Sequence, residues 1–150
     1  MPKDSKYHQG KFRPQNPEKY VGNPNNIIYR SSWELKFLRW CDRNPSILKY
    51  GSEEISIPYY DPVTKKVRRY FPDAFVEIVH KDGRKCKYLI EIKPKKQTMP
   101  PQKKSQKNKT YINEIYTYVT NEAKWKAAQE FCKDNLLEFK IITEDELGII

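Results

Sequence analysis

An α/β fold, with helices flanking a mixed sheet in the order α-β-β-β-α-β, is what this sequence predicts, and three observations carry the prediction. Apolar residues recur at helical spacing in two well-separated stretches. Between them lie three consecutive runs with the alternation and the aromatic and β-branched content of strands. A fourth such run follows the second helical stretch, so the sheet is mixed and its helices lie against it.

The first helical stretch is "YRSSWELKFLRWCDRN". Ser31 stands at its start with Glu34 three residues later, the pattern of a capping box, and Trp33, Phe37, Trp40 and Cys41 then follow at i, i+4, i+7 and i+8. Pro45 marks its end. "EISIPYY" alternates Ile55, Ile57 and Tyr59 as a strand does, "DPVTKK" reads as a turn, and "VRRYFPDAFVEIVH" reads as a second strand. "KDG" then turns the chain into "RKCKYLIEIK", the third strand, as a hairpin. In the second helix Tyr111, Ile115, Tyr118, Glu122, Trp125, Gln129 and Cys132 fall on one stripe, with a break expected near Asn121. "LEFKIIT" is the last strand, and Thr143 with Glu146 predicts a short capped helix after it. Trp33, Trp40, Trp125 and the tyrosines of "TYINEIYTY" are assigned to the core, and His80 to the exposed hairpin end.

Length and charge narrow the function. The chain has 150 residues, one domain's worth, and a formal charge of +10. Such an excess, in a chain that is 13% aromatic, points to a polyanionic partner rather than to a disordered basic tail. The predicted organisation is a basic flexible N-terminal arm over 1–26 and a single domain over 27–150 with a lysine-rich loop at 94–109. The arm holds five basic residues against two acids, and the loop holds six lysines and no acid. Solvated linker is the simple reading of that loop; its position directly after Lys93 favours contact with phosphates through Lys95, Lys96, Lys103, Lys104, Lys107 and Lys109. No apolar run reaches the roughly 20 residues of a membrane span, so no membrane partner is expected. Cys41, Cys86 and Cys132 are odd in number and far apart, which argues against a disulfide pair or zinc cluster. With only His8 and His80 present, histidine-based hydrolysis has little to work with, and any catalysis rests on carboxylates, lysine and metal.

"YLIEIKP" concentrates that chemistry. On a strand Glu91 and Lys93 point to one side while Ile90 and Ile92 point into a core. Alone, the pair reads as a salt bridge; Asp73, at the start of the preceding strand, changes the reading. A two-residue Asp82-Gly83 turn would set Asp73 opposite Ile92, on the far face from Glu91. A three-residue Lys81-Asp82-Gly83 loop, with Gly83 in the left-handed conformation, sets Asp73 opposite Glu91 and Phe71 opposite Lys93. Two carboxylates side by side on a sheet are unfavourable without a cation between them, and a divalent metal supplies one.

"PD" at Pro72-Asp73, "EIK" eighteen residues on, and a preceding helix bearing Glu34 resemble the PD-(D/E)xK nuclease superfamily, which implies a restriction-endonuclease-like fold. More narrowly, "YRSSWELKFL", "NPSILKY", "YFPDAFVEI", "YLIEIKP" and "IITEDEL" resemble the catalytic domain of TnsA-type endonucleases across about Tyr29 to Leu147. In size and wording the chain is similar to the head-completion nucleases of T-even-type tailed phages. The resemblance implies that Asp73 and Glu91 are metal ligands with the Ile92 backbone carbonyl, for Mg²⁺ with Mn²⁺ as substitute, since hard cations take oxygen ligands. It implies that Lys93 positions or deprotonates the attacking water and that Glu34 completes the site. A cap-only role for Glu34 stands beside this. It further implies a metal-dependent deoxyribonuclease acting on double-stranded DNA, endonucleolytic with exonuclease action open. The implied setting is the trimming of packaged DNA before head-tail joining, in the host cytoplasm or on the virion, with phage head or neck proteins as partners. Lys124 and Lys126 lie on the helix that offers a polar side chain to the site in such nucleases; a solvated face is the reading adopted for both. Two alternatives remain at this point: a noncatalytic DNA-binding structural protein of the virion, and a transposase-associated end-cleaving subunit.

Overall fold

The computed structural model describes residues 9–102 and 108–148. Its centre is a four-stranded mixed sheet in the order β3-β6-β7-β8, formed by Ile47–Ser52 (β3), Ala74–Val79 (β6), Lys85–Ile92 (β7) and Glu138–Ile142 (β8). β6 runs antiparallel to both β3 and β7, and β8 lies parallel to β7. A parallel neighbour requires a crossover, and the helix Lys109–Asp134 (α2) supplies it. On one face the sheet buries Tyr50, Val76, Tyr88 and Ile90 against Phe37, Leu38 and Cys41 of the helix Ser32–Arg43 (α1). On the other, Leu89 joins Trp125, Ala128 and Cys132 of α2 and Ile57, Tyr59 and Tyr70 of a separate hairpin. β7 alternates between these two cores, so Glu91 falls with Leu89 on the α2 side.

The α-β-β-β-α-β order holds, with a different first strand. "EISIPYY" does not join the sheet: Ile57–Asp61 (β4) pairs with Lys66–Tyr70 (β5) as its own two-stranded sheet, and "NPSILKY", unassigned from sequence, supplies β3. "VRRYFPDAFVEIVH" is accordingly two strands. Pro72, which has no N–H to give a ladder, lies between β5 and β6. α2 is continuous through Asn121, which is buried; its inward row is Asn121, Trp125, Ala128 and Cys132, whereas Glu122 and Gln129 are exposed. The polar Asn121 and the small Ala128 take inward positions, which a search for large apolar residues passes over. Trp33 and Trp40 are only partly buried, and His80 is half-buried rather than exposed. The final helix Glu144–Leu147 (α3) carries the expected Thr143–Glu146 capping box.

From Gly10 onward the segment expected as an arm is instead part of the packed unit; residues 1–8 lie outside the described residues. Gly10–Phe12 (β1) pairs antiparallel with Ile27–Tyr29 (β2), and Phe12 and Tyr20 are buried. Lys19 Nζ donates to the carbonyls of Cys41, Asp42 and Asn44 at 2.7, 2.9 and 2.9 Å, satisfying the end of α1. Asp42, itself buried, accepts from the N–H groups of Gln15 and Asn16 and from the Tyr50 hydroxyl. These ties join polar groups distant in sequence, so the composition of the segment hides them.

Candidate active site

The β6–β7 turn decides whether the acidic residues meet. His80 N–H donates to Arg84 O at 2.8 Å, Gly83 N–H to His80 O at 2.9 Å, and Gly83 has φ +89°. This is the three-residue bulged loop, and it sets Ala74 opposite Ile90. Asp73, one residue before β6, is thereby level with the end of β7: its Oδ2 accepts from the Ile92 N–H at 2.7 Å. Within a strand the N–H and C=O of one residue point to the same side, so the Ile92 carbonyl also faces the Asp73 side.

Glu91 is buried, and its two oxygens have different partners. Oε1 accepts from the Tyr70 hydroxyl at 2.6 Å, and Oε2 lies 3.5 Å from Lys93 Nζ. Burial, and next the Glu91 charge, hold the Asp73 carboxyl well above the usual carboxylate range, against the opposing Ile92 N–H and Lys93 charge. The site is thus short of positive charge. A divalent cation fits that deficit: two carboxylates and a main-chain carbonyl make a hard oxygen set suited to Mg²⁺ or Mn²⁺. Among the described residues no three His, Cys, Asp or Glu side chains gather as a cation cluster, so this set rests on the Asp73–Glu91 pair with Ile92.

Glu34 stands at the start of α1, but the reciprocal Ser31–Glu34 capping box is not completed, because its carboxylate bonds the residue before the cap. Its N–H donates to the Ser31 hydroxyl oxygen at 3.1 Å, and its Oε2 accepts from the Arg30 N–H at 3.0 Å, one residue before the cap position. It also lines a small recess with Asp73, Ser52 and Ile92. Burial raises its carboxyl, the Arg30 N–H opposes, and the nearby charges of Glu53 and Glu91 raise it further.

Tyr70 and Lys124 belong to the site's surroundings; sequence reasoning passed over Tyr70 and read Lys124 as solvated. Tyr70 is the buried end of β5, and its hydroxyl is held far above the ordinary tyrosine range by burial and by Glu91. The Lys124 ammonium stands 5.8 Å from the Tyr70 ring centre and 5.9 Å from that of Tyr59. Burial and then the Lys93 charge lower its pKa. The solvated-face reading is therefore corrected for Lys124, half-buried, and holds for Lys126, exposed. A spacing argument on α2 cannot reveal this, because the two tyrosines come from the hairpin.

The lysine segment is divided. Lys95 is tied to α3: its N–H donates to Glu144 Oε1 at 2.7 Å and its Nζ lies 3.1 Å from Asp145 Oδ2. Lys96 is exposed on the short 3-10 turn Lys95–Thr98, and Lys109 opens α2. Lys103, Lys104 and Lys107 lie outside the described residues.

The chain is similar to known proteins over most of its length. Residues 44–144 match the family model described as TnsA-like endonuclease N terminal. Over 144 residues, 93% of each chain, it is 44% identical to the head completion nuclease of Enterobacteria phage T4. The family match contains Asp73, Glu91, Ile92 and Lys93 and begins after Glu34. On both the family match and the identity, the chain belongs to the TnsA-like endonuclease family.

Proposed function

We propose that this chain is a Mg²⁺-dependent deoxyribonuclease that hydrolyses phosphodiester bonds of double-stranded DNA, with Mn²⁺ as a substitute metal. Its setting is phage head completion, where it finishes packaged DNA before head-tail joining, alongside head or neck proteins. Family membership supports the restriction-endonuclease-like reading of the sheet, and the similarity to a head completion nuclease supports the setting. The observation that carries the chemistry is the bond from Ile92 N–H to Asp73, which sets that carboxylate beside Glu91 and Lys93.

Asp73, Glu91 and the Ile92 carbonyl would hold the cation. Bound there, it would polarise the phosphate and acidify water. Tyr70 fixes Glu91 through Oε1 and leaves Oε2 toward Lys93. Lys93, partly exposed, is free at its outer side to orient the attacking water and to offset charge on the nonbridging oxygens. Glu34 contributes a further carboxylate at the Asp73 side of the recess.

Plasmid cleavage with Mg²⁺ and with EDTA tests the reading. Wild type should cut only with the metal, and Asp73→Ala, Glu91→Ala and Lys93→Ala should each lower turnover by at least about a hundredfold while remaining folded. Near-normal turnover in Lys93→Ala removes its water-orienting role. A wild type that binds DNA yet never cuts it favours the noncatalytic DNA-binding reading.

A further inference from the structure

The β4–β5 hairpin is more apolar than its place in the fold requires. Its inner face buries Ile57, Tyr59 and Tyr70 against α2. The register pairs Tyr60 with Val67 and Pro58 with Arg69, so these four share the opposite face. That face is open: Tyr60 is 56% and Val67 73% exposed, and Phe71, just beyond β5, is 51% exposed. Single exposed apolar residues are ordinary, whereas an apolar strip on one ribbon marks a contact surface.

Charge indicates what the strip meets. Lys65, Lys66, Arg68 and Arg69 crowd β5 and its turn. The hairpin's one acid, Asp61, is buried and satisfied by the Val63 N–H and the hydroxyls of Thr64 and Thr120. The hairpin therefore offers solvent only positive charge: Arg69 shares the face of the apolar strip and donates to Ser56 Oγ at 2.6 Å, and Arg68, across from Tyr59, is exposed on the other side of the ribbon. It is also continuous with the active site: Tyr70 ends β5 with its hydroxyl on Glu91, and Asp73 follows three residues later. The end of β5 therefore borders the carboxylates.

Resting on the nuclease reading above, we propose that β4–β5 is a DNA-holding ribbon lying along a groove of the duplex beside the scissile phosphate. Arg68 and Arg69 hold backbone phosphates, and Tyr60, Val67 and Phe71 rest on sugars and base edges. A two-stranded ribbon is of a size that the major groove accepts.

The test is equilibrium binding of a labelled duplex of about 30 base pairs in EDTA, from about 50 to 200 mM salt, where each phosphate contact contributes about 0.9 to the log-log slope. Arg68→Ala/Arg69→Ala should flatten the slope by about 1.8, so that it loses about tenfold less affinity than wild type across that range. Arg68→Lys/Arg69→Lys should keep the slope. Tyr60→Ser/Val67→Ser/Phe71→Ser should weaken binding at every salt concentration with the slope unchanged. All five positions are solvent-exposed, and an unchanged melting temperature verifies each fold. Wild-type Kd and slope in both the alanine and serine variants overturn the proposal. Equal losses on a single strand of the same length overturn the groove assignment. Plasmid cleavage separates the two readings: a wild type that binds through the hairpin but never cuts sinks only the nuclease reading.

Discussion

Asp73 carries an electrostatic cost in the metal-free site. Burial and Glu91 raise its folded pKa above the unfolded value near about 4. The stabilisation from its bound proton is fully present below the unfolded pKa and is lost as pH rises through the folded one. In EDTA, Asp73→Asn keeps an oxygen for the Ile92 N–H and removes the charge, so it should melt above wild type at pH 7, the gap closing as pH falls toward about 4. Mg²⁺ should raise the melting temperature of wild type and not of the variant. A variant that melts below wild type throughout would mean that the carboxylate is well paired without metal. Glu34 allows a cleaner separation of roles. Glu34→Ala should lose about 0.5 to 2 kcal/mol of stability with its bond to Arg30 N–H. Glu34→Gln retains an acceptor there, so it should restore stability but remain poorly active; full activity in Glu34→Gln would leave Glu34 a cap alone. The Asp73–Glu91 pairing was legible because turn length and strand parity determine it. Tyr70 was not, because one long strand was read through Tyr70, Pro72 and Asp73, concealing that Tyr70 ends a different sheet.

At the scale of elements, the separation of β4–β5 from the main sheet shapes the site. The hairpin brings Tyr70 to Glu91 from outside the sheet, and Asp61 holds the hairpin to α2 through the Thr120 hydroxyl at 3.2 Å. Burial alone would raise the Asp61 carboxyl, but the Val63 N–H and the Thr64 and Thr120 hydroxyls outweigh it, and its pKa is lowered. The tie is therefore present above the unfolded pKa and lost as pH falls through the folded one. Asp61→Ala should speed amide exchange across 57–70 while β6 and β7 keep their protection, and Thr120→Val should do so less. Uniformly faster exchange over the whole sheet would show instead that the hairpin is part of the global unfolding unit. The strands at 74–79 and 85–92 and both long helices were readable from periodicity and caps. β3 was not: "ILKYGS" has neither clean alternation nor length, and only its pairing with β6 makes it a strand.

Across the whole molecule the positive charge lies in the segments least easily read. Over 10–26 Lys19 is used on helix carbonyls rather than on a ligand, whereas Lys11 and Arg13 are exposed. No helix among the described residues is long and apolar enough to cross a membrane. The same question of structural or ligand-directed lysines applies to 94–109, where the six cannot act alike. Lys95 is held by Asp145, an exposed pair that competes with a phosphate for the same ammonium. Lys95→Ala should therefore change the salt slope of duplex binding by less than the roughly 0.9 of a full phosphate contact. Neutralising Lys96, Lys103, Lys104 and Lys107 together should flatten it by up to about 3.6 if each meets a phosphate, for all sequences alike. Directly downstream of Lys93, the segment can cross the backbone being cut, so the fourfold variant should raise KM more than it lowers kcat. An unchanged slope would make the segment a spacer between β7 and α2, and would shift the holding of DNA near the carboxylates toward Lys93 and the β4–β5 hairpin.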